Sequence, residues 1–71
     1  MIYEIVRKIY PLTTKIDCYQ EVRICFVENL AAAKMVIETF TKGYIEGDIE
    51  IGKHYNEVGW EGIYYRVEEF E

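Results

Sequence analysis

The sequence contains no serine, and it has only one histidine and two cysteines among its 71 residues. A nucleophilic enzyme needs a hydroxyl or thiol beside a base, and nothing in the sequence places a candidate nucleophile near His54. The pattern therefore predicts no catalytic residues and no enzyme activity. We interpret His54 as a structural or surface side chain.

The two cysteines also make an internal disulfide improbable. Cys18 and Cys25 are seven residues apart in one predicted strand. At about 3.3 Å per residue, their Cα atoms would lie about 23 Å apart, whereas a disulfide tolerates no more than about 7 Å. Two free thiols are typical of a reducing compartment, although an intermolecular bridge stays open.

Ligand sets for metals and cofactors are equally scarce. Asp48, Glu50 and His54 could share one face of a strand, but they would need further ligands from another strand. The five glycines form neither a Walker nor a dinucleotide motif. We expect no metal and no cofactor. We also expect no direct contact with nucleic acid, because the acidic C-terminal third would repel phosphate.

No stretch of the sequence resembles a signal peptide or a membrane span. Glu4, Arg7 and Lys8 interrupt the first apolar residues, and no apolar run approaches about 20 residues. These features predict an intracellular protein with no membrane contact. The expected location is the cytoplasm.

Alternation of apolar and polar residues predicts an α+β fold in one domain, residues 1–71. The stretches 2–10 and 18–27 have strand character, and 29–42 has a helical apolar stripe with Asn29 as N-cap and Gly43 as the left-handed residue after its end. "GDIEIGKHY" and "GWEGIYYRVEEFE" predict two further strands, joined as a hairpin. The result is a β-β-α-β-β antiparallel sheet with one helix on one face, whose strand order the sequence leaves open.

The same alternation predicts which side chains meet beneath the helix. The helix residues expected to be buried are Leu30, Ala33, Ile37 and Phe40. The strand residues expected to face them are Val22, Ile24, Phe26, Ile49, Ile51, Ile63, Tyr65 and Val67. Tyr19 and Cys25 are expected on the opposite face.

The sheet face away from the helix is predicted to be unusually apolar. Its members would be Ile2, Val6, Tyr19, Trp60 and Tyr64. A contiguous patch of this kind marks a contact surface, so self-association through Ile2, Val6, Tyr19 and Tyr64, as a homodimer, is one hypothesis. The alternative is that tyrosines are simply common on sheet surfaces.

Charge is distributed very unevenly along the chain. Residues 1–45 hold five acids and six bases, for +1, whereas residues 46–71 hold eight acids and two bases, for −6, which together give the net −5. Acids interleaved with aromatic residues suit a basic protein partner. The predicted binding residues are Asp48, Glu50, Trp60, Glu61, Tyr64 and Glu68. The alternative is that the acids only keep a small domain soluble.

One segment carries a resemblance to known proteins. The helix segment "FVENLAAAKMVIETF" between strands, with a tryptophan and an aromatic, acidic terminal strand, resembles short phage and prophage proteins of unknown function. In size and acidity the chain is also similar in type to anti-CRISPR proteins, which inhibit host nucleases by binding them. The resemblance implies an inhibitor of a nucleic-acid-binding host protein, and it assigns no individual residue. A homo-oligomeric structural or regulatory domain is the alternative function.

Overall fold

The computed structural model describes residues 1–10, 19–59 and 62–71. It contains strands β1 (Tyr3–Ile9), β2 (Gln20–Val27), β3 (Tyr55–Asn56) and β4 (Ile63–Glu69), and helix α1 (Leu30–Thr41). The strands form one antiparallel sheet in the order β2-β1-β4-β3, and α1 packs on one of its faces. The predicted α+β class and β-β-α-β-β order are confirmed.

The two central strands carry the centre of the hydrophobic core. Ile5 of β1 lies opposite Val67 of β4, and both are fully buried. Ile37 of α1, also fully buried, packs on the same cluster. Residues with β-branched side chains fit this layer between sheet and helix because their stiff side chains pack well on a pleated surface.

The predicted faces of β2 are partly wrong because of a β-bulge. Ile5 pairs with Cys25 while the next residue, Val6, pairs with Arg23, so Ile24 is an extra residue in β2. One extra residue exchanges the two faces of a strand beyond that point. Cys25 therefore packs against the core, and Phe26 lies on the opposite face with 54% of its surface exposed.

The helix begins as predicted and ends one residue earlier. The Asn29 side chain accepts a hydrogen bond from the Ala32 amide at 2.8 Å, which confirms the N-cap. The left-handed residue at the other end is Lys42, with φ of 56°, so the assignment of that role to Gly43 was wrong. The side chains that line the core are Leu30, Ala33, Val36, Ile37 and Phe40.

The third strand is much shorter than predicted. Only Tyr55 and Asn56 pair with β4, as the partners of Tyr65 and Tyr64. The preceding residues are irregular, although Ile49 is buried as expected. Ile51 lies in a turn and is 46% exposed, so its place in the predicted core was wrong. The predicted pairing of the last two strands is confirmed.

One further prediction about the core is confirmed and another is wrong. Ile63, Tyr65 and Val67 face the helix as predicted. Val22 is 40% exposed, because α1 does not cover the N-terminal half of β2. Cys18 lies outside the described residues, so the absence of an internal disulfide stays a prediction.

Within the described residues, no helix combines the length and the apolar character that crossing a bilayer requires.

Candidate functional site

An ion network occupies the middle of the open face, the face of the sheet opposite α1. Arg23 of β2 pairs with Glu4 of β1, and its second nitrogen lies 3.7 Å from Glu21. Arg66 of β4 contacts Glu68 at 2.5 Å and Glu21 at 3.6 Å. The three carboxylates and two guanidinium groups form one connected network. This part of the face is therefore nearly neutral.

Glu4 is the buried member of this network. Its side chain is only 5% exposed, whereas that of Arg23 is 60% exposed. A carboxylate with so little solvent requires a partner of opposite charge, since burying an unpaired charge is costly. Val6, which lies between Arg23 and Arg66 in the sheet, is fully buried.

Aromatic rings collect at one end of the open face. The Tyr10 ring lies 5.4 Å from the Tyr19 ring between centroids, tilted by 39°, and meets Tyr64 edge-on at 5.8 Å. His54 lies 5.9 Å from Tyr64. The Lys8 ammonium lies 4.8 Å from the centre of the Tyr19 ring, a cation–π distance. We refer to Tyr10, Tyr19, Tyr64 and His54 as the aromatic end.

A second, smaller apolar group lies at the other end. Phe26 and Phe70 meet edge-on at 4.8 Å and are 54% and 56% exposed. Ile2 is hydrogen-bonded through its backbone to Phe70 and is 37% exposed. The ion network separates this group from the aromatic end.

The residues predicted for self-association therefore do not form one surface. Tyr19 and Tyr64 belong to the aromatic end, Ile2 lies at the Phe26–Phe70 end, and Val6 is inaccessible between them. Trp60, which was expected in the same patch, lies outside the described residues. Self-association itself stays a prediction.

Three exposed acids lie together beside the helix. The acidic segment, residues 44–50, contains Glu46, Asp48 and Glu50, all exposed. Tyr44 at its start is 83% exposed, and Ile49 is 3% exposed and anchors the segment in the core.

Two helix side chains hold the acidic segment in place. The Lys34 ammonium donates to the Gly47 carbonyl at 2.6 Å, and the Glu38 carboxylate accepts from the Ile45 amide at 2.8 Å. The polar groups of Lys34 and Glu38 thus fix the backbone of the segment at two points, and the buried Ile49 fixes it at a third.

The predicted partner-binding residues fall into two separate places. Asp48 and Glu50 belong to the acidic segment, where Asp48 lines a groove with Leu30 and Met35 of α1. Tyr64 and Glu68 lie on the open face, which is the opposite side of the sheet. The remaining two, Trp60 and Glu61, lie outside the described residues.

A buried tyrosine forms a third polar feature, in a cleft of about 380 Å³ beside the end of α1. The Tyr65 hydroxyl donates to the Glu57 carboxylate at 2.7 Å and accepts from Arg7 Nε at 3.0 Å. Its ring stacks on Phe40 at 5.3 Å. Burial raises the pKa of Tyr65, and the bond to Glu57 raises it further. The hydroxyl therefore keeps its proton and works as a fixed donor to Glu57.

Possible metal and catalytic groups can be placed only in part. Among residues 1–10, 19–59 and 62–71, no three histidine, cysteine or acidic side chains lie close enough to hold a metal ion. His54 is exposed at the aromatic end, beside Tyr64. The sequence did not identify Glu4, Tyr44 or the two helix side chains that hold the acidic segment as candidate functional residues. Glu4 alone gave a signal, as a charged residue within an apolar strand.

Comparison of the chain with models of protein families, with curated proteins and with solved structures found no match.

Proposed function

We propose that this protein is a non-enzymatic binding module that docks on a basic protein through its acidic segment. The observation that carries the proposal is that two helix side chains and one buried residue fix the backbone of that segment. Three exposed carboxylates stand on a backbone that Lys34, Glu38 and the buried Ile49 hold in place. A fixed binding segment loses less conformational entropy when a partner binds than a free loop does.

Charge and anchor residues both support this surface. Carboxylates steer a basic partner toward them, because opposite charges accelerate encounter. Tyr44, at 83% exposure, and Met35, at 70%, supply apolar area beside the carboxylates. Exposed aromatic side chains next to charges are typical anchors of protein interfaces.

The specific form of the proposal is inhibition of a nucleic-acid-binding host protein by a phage-encoded protein. A groove that binds nucleic acid is lined with lysine and arginine. Carboxylates on a small acidic domain can occupy such a groove in place of phosphates. The general similarity of the chain to anti-CRISPR proteins supports a defence nuclease as the target.

The test compares two variants with the same net charge. Reversing Glu46, Asp48 and Glu50 to lysine changes the charge by +6, from −5 to +1. Reversing three exposed acids elsewhere changes the charge equally, and these are Glu28, Glu69 and Glu71. The assay is binding to a panel of CRISPR effector nucleases at about 50 mM and about 500 mM salt, since salt screens exposed charges.

We expect the acidic-segment variant to lose at least about 100-fold in affinity, equivalent to about 2.7 kcal/mol. The control variant should retain most of the binding, and high salt should weaken the wild-type complex. Equal losses in both variants would show that only net charge matters. If no nuclease binds at either salt concentration, the proposed target class is wrong.

A further inference from the structure

The two edges of the sheet differ greatly in what they offer to another strand. β3, at one edge, pairs over only two residues, whereas β2, at the other, is eight residues long. Among the described residues, β2 pairs with β1 alone. An edge strand of this length presents a row of backbone donors and acceptors that can pair with another chain.

Among the described residues, α1 does not cover the N-terminal half of β2. Gln20, Glu21, Val22 and Arg23 are all exposed, whereas α1 covers the C-terminal half, where Cys25 and Val27 are half-buried. The bulge at Ile24 separates these halves. Regular pairing along the outer edge is thus confined to residues 20–24, because a bulge interrupts the ladder.

We propose that β2 pairs antiparallel with β2 of a second copy of this chain, with Val22 on the two-fold axis. The two four-stranded sheets then become one continuous sheet of eight strands. This proposal is independent of the acidic segment and of any basic partner.

Charge complementarity selects this register. In a two-fold pair, residues directly opposite each other lie on the same face, so the axis must pass through one residue of each strand. An axis at Glu21 would oppose two glutamates, and an axis at Arg23 would oppose two arginines. With the axis at Val22, Glu21 of each copy lies opposite Arg23 of the other, and opposite charges across strands stabilise pairing.

Side-chain exposure agrees with the same register. Val22, the residue at the axis, is 40% exposed, which leaves apolar surface for its symmetry mate to cover. Arg23 contacts Glu4 and lies 3.7 Å from Glu21 of its own strand, and 60% of its side chain is still exposed. The Glu21 side chain is 27% exposed, so in the dimer it would add the Arg23 of the second copy to the arginines it already contacts in its own chain. The shared edge is short, so we expect a dissociation constant between about 10 µM and 1 mM, weaker than for a standard interface.

The first test is symmetric cross-linking. Cα atoms of directly opposed residues lie about 4.5 to 5.5 Å apart, within the range of a disulfide. Val22→Cys treated with diamide should therefore form covalent dimer at least about tenfold faster than Val58→Cys. Val58 is a matched control because it is a valine with 65% exposure and lies away from β2. The wild type, which retains the native thiols, gives the background rate.

The second test is sedimentation of the untreated protein up to about 1 mM. Wild type and Val58→Lys should show a monomer–dimer equilibrium. Val22→Lys, which places two ammonium groups at the axis, should be monomeric with an unchanged circular dichroism spectrum. The proposal is overturned by any of three results: Val22→Lys dimerises like wild type, Val58→Cys cross-links as fast as Val22→Cys, or wild type is monomeric at about 1 mM. In the last case the edge is available only to a strand of another protein.

Discussion

Replacing Tyr65 by phenylalanine removes one oxygen atom and leaves the buried ring in place. The ring is 1% exposed and stacks on Phe40, so its apolar contacts survive the change. The hydrogen bonds to Glu57 and from Arg7 are both lost. Each bond has a charged partner, and a hydrogen bond of this kind contributes about 1.5–3 kcal/mol to the free energy of unfolding.

The net loss is smaller than the sum of two such bonds. Arg7 and Glu57 are half-buried and regain contact with water when the hydroxyl is removed. We therefore expect Tyr65→Phe to reduce the free energy of unfolding by about 1–3 kcal/mol. The total free energy of unfolding of a chain of this length is about 4–11 kcal/mol, so the expected change is large. It corresponds to a fall in Tm of about 5–20 °C.

The measurement is thermal and urea unfolding followed by circular dichroism at pH 7. Tyr44→Phe is the control, because Tyr44 is 83% exposed, and it should change stability by less than about 0.5 kcal/mol. If Tyr65→Phe is as stable as wild type, or if both variants lose equally, the hydroxyl does not link Arg7 and Glu57 as described.

The raised pKa of Tyr65 adds a pH dependence to the same comparison. The hydroxyl ionises more easily in the unfolded chain, where its pKa is about 10, than in the folded protein. Its contribution is thus complete below pH 10 and is lost as pH rises from 10 through the higher folded value. The difference in stability between wild type and Tyr65→Phe should shrink over this window, by up to about 1.4 kcal/mol per pH unit. A constant difference would contradict the assignment.

Two other substitutions test the packing and the backbone, each measured by urea unfolding. Ile37→Ala should cost about 2–5 kcal/mol, because Ile37 is fully buried against the sheet. Met35→Ala on the same helix, at 70% exposure, should cost less than about 0.5 kcal/mol, and equal losses would refute the assigned helix face. Gly62→Ala should cost more than Gly47→Ala, although both glycines have positive φ. A Cβ at Gly62 would lie 2.8 Å from the Tyr10 carbonyl oxygen, whereas at Gly47 it meets nothing within 4 Å, so equal effects would contradict this close approach.

The regular elements could be predicted because their sequence signals are local. The helix combines an apolar stripe with Asn29 as N-cap, and β4 alternates cleanly from Ile63 to Val67. The bulge in β2 has no comparable signal, since Ile24 looks like any other strand residue. A single extra residue was enough to exchange the predicted environments of Cys25 and Phe26.

The length of the third strand was predicted wrongly for a different reason. Ile49, Glu50 and Ile51 alternate as a strand would, but side chains of α1 fix the backbone just before them, at residues 45 and 47. Alternation cannot distinguish an irregular segment with one buried anchor from a true strand. This error also affected the predicted binding surface. Asp48 and Glu50 were grouped with Glu68, but they lie on the other side of the sheet.

Among the described residues, the acids of the C-terminal third differ in chemistry. Two acids beside the sheet are compensated: Glu68 contacts Arg66 at 2.5 Å, and Glu57 accepts from the Tyr65 hydroxyl. The acidic segment is different, because among the described residues its one ion pair joins Glu50 to the exposed Lys53 at 3.3 Å. Exposed pairs of this kind contribute little to stability. The carboxylates of the segment are therefore expendable for folding, and a basic partner can reach them at the cost of no more than the exposed contact between Glu50 and Lys53.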